Sequence, residues 1–283
     1  MFIFVLSVIM AVITLIAGFL PLYITSKVDT KTMSQFGSGI ILSAAFIIVI
    51  PEGFEQMGSD WSRLAGVAVV LGFLLMLVID KYFSVQGDVK HNDGTDIPDM
   101  EPGLTSPGIA GISRSSDHDI PQLRNVRSWF SDLSVTTLGL TIHAAADGVA
   151  LGATSGASST NLGMLVFLSI IIHKAPAAFS LTSILLTNDG YTLSHVKRDI
   201  VMFSLAGPLT AIFLSMIIDL FSFTTDSTVF PGFCLAFSGG TFVYVACHVL
   251  IAHGNFQKEG FWRSMLLVSS GTVLPWMASF LPD

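Results

Sequence analysis

Eight apolar runs along the 283-residue chain constrain its fold more than any other feature. Each is long enough to cross, as a helix, the roughly 30 Å hydrocarbon core of a bilayer. Because backbone groups in lipid must be hydrogen-bonded within their own segment, such runs predict helices. The chain is therefore predicted to be an all-α membrane protein held in a lipid bilayer by eight transmembrane helices. The predicted spans are Phe2–Thr25, Gln35–Met57, Trp61–Phe83, Phe130–Gly152, Asn161–Leu186, Ile200–Phe221, Val229–Ala252 and Trp262–Leu281.

The distribution of Lys and Arg predicts how these spans are oriented. Only 12% of the residues are charged, and the basic ones lie almost entirely in the loops after spans one, three, five and seven. Eleven lie on that side, Arg63 lies on the other, and Lys174 lies inside a span. By the positive-inside rule the basic side is cytoplasmic, so both termini are predicted to be lumenal or extracellular. The eleven are Lys27, Lys31, Lys81, Lys90, Arg114, Arg124, Arg127, Lys197, Arg198, Lys258 and Arg263.

One transmembrane domain is predicted, interrupted once. Residues 1–83 carry spans one to three, and residues 130–283 carry spans four to eight. Residues 84–129 are rich in Asp, Ser, Pro and Gly, which predicts a disordered cytoplasmic loop. The chain has no basic stripe and no nucleic-acid motif, so no nucleic-acid partner is expected. Cys234 and Cys247 lie in one apolar run and indicate neither a disulfide framework nor a thiolate cluster.

Ionisable residues in spans four and five form the candidate site, because charge inside a bilayer is costly and marks function. His143 and Asp147 are four residues apart and share one helical face. His173 lies at a matching depth in span five, which a short loop makes antiparallel to span four. The three side chains are expected to meet near the bilayer midplane. Two imidazoles and a carboxylate suit Zn²⁺, and Fe²⁺ or Mn²⁺ less exclusively; the alternative is a His–Asp hydrogen bond that only joins helices.

Two further residues of span five follow His173 directly. Lys174 is a charged residue in hydrocarbon, which must be paired or hydrated. It either forms an ion pair with Asp147 or supplies a fixed positive charge that weakens cation binding and aids release. Pro176 removes a backbone hydrogen bond, which frees the carbonyl of Ile172 to bind a cation or water, or to permit a hinge.

A short internal repeat connects spans two and seven. Phe36-Gly-Ser-Gly39 begins span two in the same way that Phe237-Ser-Gly-Gly240 begins span seven. Spans four and five also match each other in the placement of their histidines. Internal repeats of this kind are common in transporters.

The motifs in spans four and five resemble one known family. His143-Ala-Ala-Ala-Asp147-Gly148 followed by His173-Lys174-Ala-Pro176 is similar to helices four and five of the ZIP (Zrt/Irt-like protein) metal-ion transporters, in their Golgi-type branch. The resemblance implies a 3+2+3 arrangement of helices, and it implies transport of Zn²⁺ toward the cytoplasm, with Mn²⁺ or Fe²⁺ as other candidate cargoes. It also implies a Golgi membrane location and a homodimer as a candidate assembly. No organic cofactor is expected.

The chain departs from the family pattern at the second metal position. Many family members place an Asn or Asp directly after the first His, and acids at two positions of helix five. This sequence has Ala144, Lys174 and Ala177 there. A complete second metal site is therefore not expected, and Lys174 stands where a second cation would lie.

Three residues near span ends complete the list of candidates. Glu52 lies at the predicted lumenal mouth, either as a residue that attracts cations or as an interfacial acid in water. His248 and His253 lie toward the cytoplasmic side of span seven, where the family often has a His followed by Val-Leu-Pro-Glu. They are either substitutes for the missing acid or ordinary interface histidines.

The sequence thus predicts a divalent cation transporter, not an enzyme, that moves Zn²⁺ through a midplane His/Asp site. Two other functions use the same residues. One is an intramembrane zinc-dependent hydrolase, which requires an open metal position for water. The other is a membrane receptor whose bound metal is structural.

Overall fold

Helices account for nearly all of the computed structural model, which describes residues 2–24, 29–92, 134–156, 160–187, 191–221, 228–253 and 260–278. Within these ranges eight long helices are present, as predicted, and no strand. Six of them are long and apolar enough to cross a membrane; the exceptions are the fourth, which carries His143 and Asp147, and the eighth. The helices are α1 Phe2–Ile24, α2 Thr30–Met57, α3 Ser62–Asn92, α4 Val135–Ala153, α5 Thr160–Leu185, α6 Leu193–Phe221, α7 Val229–His253 and α8 Phe261–Ala278.

Helix α6 starts earlier than predicted. It begins at Leu193 and not at Ile200, because charged residues interrupt the apolar pattern there. The structure explains how they are accommodated. The Asp199 carboxylate is fully buried; the Arg198 guanidinium pairs with it at 2.9 Å, and the Thr137 hydroxyl of α4 donates to it at 2.8 Å. Burial beside this carboxylate raises the pKa of the neighbouring Tyr191 phenol. This cluster joins the N-terminal ends of α4 and α6.

Two other helices extend beyond their predicted boundaries. Helix α2 begins at Thr30, five residues before the predicted Gln35, and α3 continues to Asn92, into the segment predicted to be a loop. The rest of that segment, residues 93–129, lies outside the described residues, so its predicted disorder stays a prediction.

Helix α2 changes its helical form midway. It is α-helical over Thr30–Ser43, π-helical over Ala44–Val49 and α-helical again from Ile50. The cause is Pro51, whose ring clashes with the carbonyl four residues earlier in a regular α-helix. The wider turn carries that carbonyl away, and the Ile50 N–H bonds to Ala45, five residues back. This turn contacts α5 and α7, and π-helical turns are frequent beside functional sites.

The packing of the helices follows the internal repeat that the sequence indicates. Helix α3 packs on α7 as α8 packs on α2, and α1 packs on α5 as α6 packs on α4. Likewise, α7 contacts α4 and α2 contacts α5. The helices form two three-helix units, α1–α3 and α6–α8, with the pair α4–α5 between them. The third helix of each unit packs on the second helix of the other unit.

Glycines at corresponding positions allow the closest of these contacts. A side chain at Gly240 of α7 would collide with the Val69 carbonyl of α3. A side chain at Gly39 of α2 would collide with the Val268 carbonyl of α8. These glycines belong to the repeated motif, so the motif encodes the close helix–helix approach.

Candidate metal centre

Helices α4 and α5 bring His143, Asp147 and His173 together, as predicted. One carboxylate oxygen, Asp147 Oδ2, lies 3.4 Å from His143 Nε2 and 3.2 Å from His173 Nε2. All three side chains are completely buried. Their ligand atoms lie within 4.8 Å of one another, the only such group of three or more metal-binding side chains in the described part of the chain.

These distances match the edges of a tetrahedral coordination sphere. Zn²⁺ binds nitrogen and oxygen ligands at about 2.0–2.1 Å, so tetrahedral ligands lie about 3.3 Å from each other. The two contacts to Asp147 Oδ2, 3.2 and 3.4 Å, have this length. One cation fits between the carboxylate and the two rings, with a fourth position left for water or another ligand.

The hydrogen bond at the far side of His173 directs the lone pair of its inner nitrogen toward Asp147. Nδ1 of His173 lies 2.8 Å from the Ser169 carbonyl oxygen. A carbonyl only accepts, so Nδ1 carries the proton and a neutral ring presents a lone pair on Nε2. That lone pair faces the Asp147 carboxylate, itself only an acceptor when ionised. Two facing lone pairs repel unless a cation lies between them.

His143 gives an independent indication of a cation site. Its Nε2 atom is buried and has no hydrogen-bond partner among the described residues. Buried polar atoms are almost always satisfied, so each exception needs an explanation. A cation bound by Nε2 supplies one.

Lys174 lies beside the cluster and not within hydrogen-bonding distance of it. Its Nζ atom is 3.8 Å from Asp147 Oδ2 and 5.4 Å from the centre of the Phe203 ring. It is fully buried and has no hydrogen-bond partner among the described residues. Gly207 of α6 makes room for it, since a Cβ atom there would lie 2.6 Å from Nζ. The ammonium group therefore faces the carboxylate at charge-pairing distance.

Two residues of α7 that sequence reasoning missed complete the surroundings. The Ser238 hydroxyl lies 2.6 Å from His143 Nδ1 and 2.6 Å from Asp147 Oδ1. The Phe242 ring stacks on His143 at 4.2 Å between centroids and 13° between planes. The available signal was weak: Ser238 belongs to the repeated motif, but many serines lie in the predicted spans.

The remaining candidates lie apart from the cluster. Glu52 is half-buried near the end of α2 and accepts a hydrogen bond from Gln56 at 2.8 Å. His248 is half-buried and stacks on Tyr244 at 6.3 Å. Pro176 lies inside α5, which continues through it. The side chain of His253 lies outside the described residues.

Comparison with known proteins identifies the family. The ZIP Zinc transporter family model matches residues 2–275 of the chain. The chain belongs to the ZIP zinc transporter family. It is a multi-pass integral membrane protein of that family, and the resemblance seen in the motifs of spans four and five is confirmed.

Several curated proteins are similar to the chain along most of their length. Zinc transporter ZIP9-B of Xenopus laevis is 31% identical over 90% of this chain and 88% of its own. Zinc transporter ZIP9 of Micropogonias undulatus is 31% identical over 87% of this chain and 83% of its own. Fe(2+) transport protein 2 of Arabidopsis thaliana is 26% identical over 77% of this chain and 65% of its own.

Proposed function

We propose that this ZIP protein moves Zn²⁺ from the lumen or the outside into the cytoplasm through His143, Asp147 and His173. The observation that carries the proposal is the geometry of these ligands. The Asp147 carboxylate lies at tetrahedral separations from both buried histidine nitrogens, and His143 Nε2 has no hydrogen-bond partner among the described residues. Such a site, placed between two repeated helical units, is the arrangement from which alternating-access transporters are built.

The charge of the site suits a cargo that must leave again. Asp147 supplies one negative charge, and Lys174 lies 3.8 Å away with one positive charge. A bound Zn²⁺ therefore adds its two charges to a site whose own charges cancel, which lowers affinity relative to a site of two carboxylates. Lys174 is proposed as the residue that makes the site weak enough to release its ion.

The other candidate residues mark the rest of the route. Glu52 is proposed to attract cations at the lumenal mouth, because a negative charge at the entrance raises the local cation concentration. His248 and His253 of α7 are proposed to receive the ion toward the cytoplasm. Movement around Pro176 of α5 and the π-helical turn of α2 is proposed to close one side and open the other.

Zn²⁺ is the preferred cargo, and Mn²⁺ and Fe²⁺ are the competitors. Imidazole nitrogen is a borderline ligand that suits Zn²⁺ and Fe²⁺, and a carboxylate suits Mn²⁺ as well. The similarity to two ZIP9 zinc transporters supports Zn²⁺, and the similarity to Fe(2+) transport protein 2 keeps Fe²⁺ as an alternative.

A hydrolase is the main alternative function, since Ser238 gives the site a hydroxyl beside a histidine. Two features favour transport. The Ser238 hydroxyl also lies 2.6 Å from the Asp147 carboxylate, which holds its proton, and the side chain is completely buried. A receptor with a structural metal predicts tight binding without flux. We propose no enzymatic activity and no organic cofactor.

Uptake of radioactive Zn²⁺ into proteoliposomes tests the transport site. The wild type is compared with His143→Ala and His173→Ala, with Mn²⁺ and Fe²⁺ as competitors. His195→Ala is the matched control, because His195 is half-buried at the start of α6 and bonds to Thr192 outside the site. Saturable uptake that only the two site variants abolish supports the proposal.

Two outcomes contradict it. Uptake no higher than in empty vesicles, with Zn²⁺ still bound to the purified protein, supports a structural metal. Wild-type uptake by both site variants removes these histidines from the route. Imaging of the tagged chain beside a Golgi marker tests the proposed Golgi location, and mass photometry in nanodiscs tests the proposed homodimer.

A further inference from the structure

Helix α7 contributes no cation ligand to the proposed site, yet it holds one of the ligands on two sides. Ser238 and Phe242 are one turn apart on α7, and both are completely buried. Ser238 contacts the outer edge of the His143 ring at 2.6 Å, while Phe242 covers its face. The ring is therefore clamped by a helix other than its own.

The protons on this contact can be assigned from the chemistry of the groups. The Ser238 hydroxyl has one proton and lies 2.6 Å from Asp147 Oδ1. An ionised carboxylate only accepts, so the hydroxyl donates to Asp147. Its oxygen then accepts from His143 Nδ1–H at 2.6 Å. The Ser238 backbone carbonyl, 3.3 Å from the same nitrogen, is also only an acceptor and agrees with a proton there.

This assignment has two consequences for cation binding. With its proton on Nδ1, a neutral His143 presents the lone pair of Nε2 toward Asp147 and His173, where the cation binds. Asp147 is also oriented, because Oδ1 is occupied by the hydroxyl and only Oδ2 remains for the cation. One hydroxyl therefore fixes the tautomer of one ligand and the orientation of another.

We propose that Ser238 is a positioning residue for the transported cation, and that through it the cation affinity of α4 depends on the position of α7. This inference rests on the proposed site at His143, Asp147 and His173. When α7 moves away, His143 loses the acceptor that holds its proton on Nδ1, and Asp147 loses the donor that turns Oδ2 inward. Withdrawal of α7 lowers affinity without any ligand being replaced.

The test compares four variants of the full-length protein: Ser238→Ala, Ser238→Thr, His143→Ala and Ser183→Ala. Ser238→Thr keeps the hydroxyl. Ser183 is the control, a completely buried serine of α5 that donates to Phe179 of its own helix. Zn²⁺ affinity is measured by calorimetry on protein in nanodiscs, and KM and Vmax are measured by uptake into proteoliposomes. The visible spectrum of bound Co²⁺ reports coordination geometry.

Loss of the hydroxyl is expected to weaken Zn²⁺ binding and raise KM by about 10–100-fold, as for other outer partners of metal ligands. Vmax changes less, and the Co²⁺ spectrum shifts. Ser238→Thr recovers most of the affinity, and Ser183→Ala behaves as wild type. If Ser238→Ala does not yield folded protein, Ser238→Cys replaces it, because a thiol is a weak donor.

The failure of this inference and the failure of the proposed site give different results. If Ser238→Ala has wild-type KM and Co²⁺ spectrum while His143→Ala abolishes uptake, the site stands and Ser238 does not position it. If Thr at 238 is as poor as Ala, the effect comes from packing and not from the hydroxyl. If His143→Ala transports normally, the site itself is wrong.

Discussion

Helices α4 and α5 occupy equivalent places in the repeat but carry different charges. Helix α4 packs on α6 and α7, helix α5 packs on α1 and α2, and each carries a histidine of the cluster. One turn beyond His143 stands Asp147, whereas one turn beyond His173 stands Ala177. The scaffold is repeated, and the carboxylate is not.

The positive charge has the opposite distribution. Ala144 follows the histidine of α4, and Lys174 follows the histidine of α5. The scaffold is therefore symmetric, but the site is asymmetric at two pairs of equivalent positions. Its one acid and its one base lie 3.8 Å apart. The difference teaches that helix packing and cation chemistry are encoded by separate residues, so each can be changed alone.

The largest expected effect comes from moving the carboxylate. Asp147→Ala removes the only ligand that contacts both histidines, so Zn²⁺ uptake into proteoliposomes should fall to the level of empty vesicles. Adding Ala177→Asp places a carboxylate one turn beyond His173, the equivalent position of the repeat. Because the scaffold repeats, the double variant should regain saturable uptake.

The control for this pair is Asp219→Ala, which removes an exposed acid of α6 and should leave uptake unchanged. Failure of the double variant, with the protein folded, would mean that α4 and α5 are not interchangeable. Residual uptake by Asp147→Ala alone would mean that the two histidines suffice.

The next effect concerns the positive charge of α5. Lys174→Met keeps the length of the side chain and removes the charge facing Asp147. Coulomb repulsion between an ammonium and a divalent cation is then lost, so Zn²⁺ should bind at least about tenfold more tightly. Tighter binding slows release, so Vmax should fall while KM falls with it. Calorimetry and uptake kinetics measure the two changes.

Lys197→Met, at an exposed position of α6, is the matched substitution and should change neither quantity. Weaker binding by Lys174→Met would show instead that the ion pair with Asp147 supports the site, which was the other interpretation of this residue.

The sequence is sufficient to predict the number of helices and the convergence of His143, Asp147 and His173. Apolar length predicts a span directly, and two histidines at matching depth in adjacent helices predict where His143 and His173 meet. The start of α6 was not predictable in this way. The buried Asp199 carboxylate accepts a hydrogen bond from Thr137, which is distant in sequence. Without that contact in view, the charged residues before Ile200 are interpreted as part of a loop.

Ser238 shows a different limit. A serine in a span has many structural uses, and its own position in the chain does not say which one applies. Only the packing of α7 on α4 brings its hydroxyl to His143 and Asp147. Partners of ligands are therefore harder to predict than the ligands themselves.

A smaller effect is expected from substitutions at the equivalent glycines of the repeated motif. Gly240→Ala and Gly39→Ala each force a Cβ atom against a backbone carbonyl of a neighbouring helix, at Val69 and Val268. Each should lower stability by about 3 kcal/mol, the upper end for overpacked positions. Only Gly240→Ala should also raise the KM for Zn²⁺, because α7 carries Ser238. Thermal unfolding and uptake kinetics measure these effects.

Gly66→Ala is the control, since nothing lies near a side chain there. If Gly240→Ala and Gly39→Ala lose equal stability and have equal KM values, the position of α7 does not affect Zn²⁺ binding. Unequal loss of stability would show that the two contacts are not equivalent.

The smallest effect contrasts the two outer helix pairs, α4–α6 and α1–α5. In the first, Thr137 donates at 2.8 Å to the buried Asp199 carboxylate; in the second, Thr182 donates at 2.7 Å to the Gly18 carbonyl. Bonds to charged groups contribute more than bonds to neutral ones, so Thr137→Val should cost about 2 kcal/mol and Thr182→Val about 1 kcal/mol. Thermal unfolding of the purified variants measures both. If the two costs are equal, Arg198 alone satisfies Asp199, and the buried charge that shifted the start of α6 adds nothing to the joining of α4 and α6.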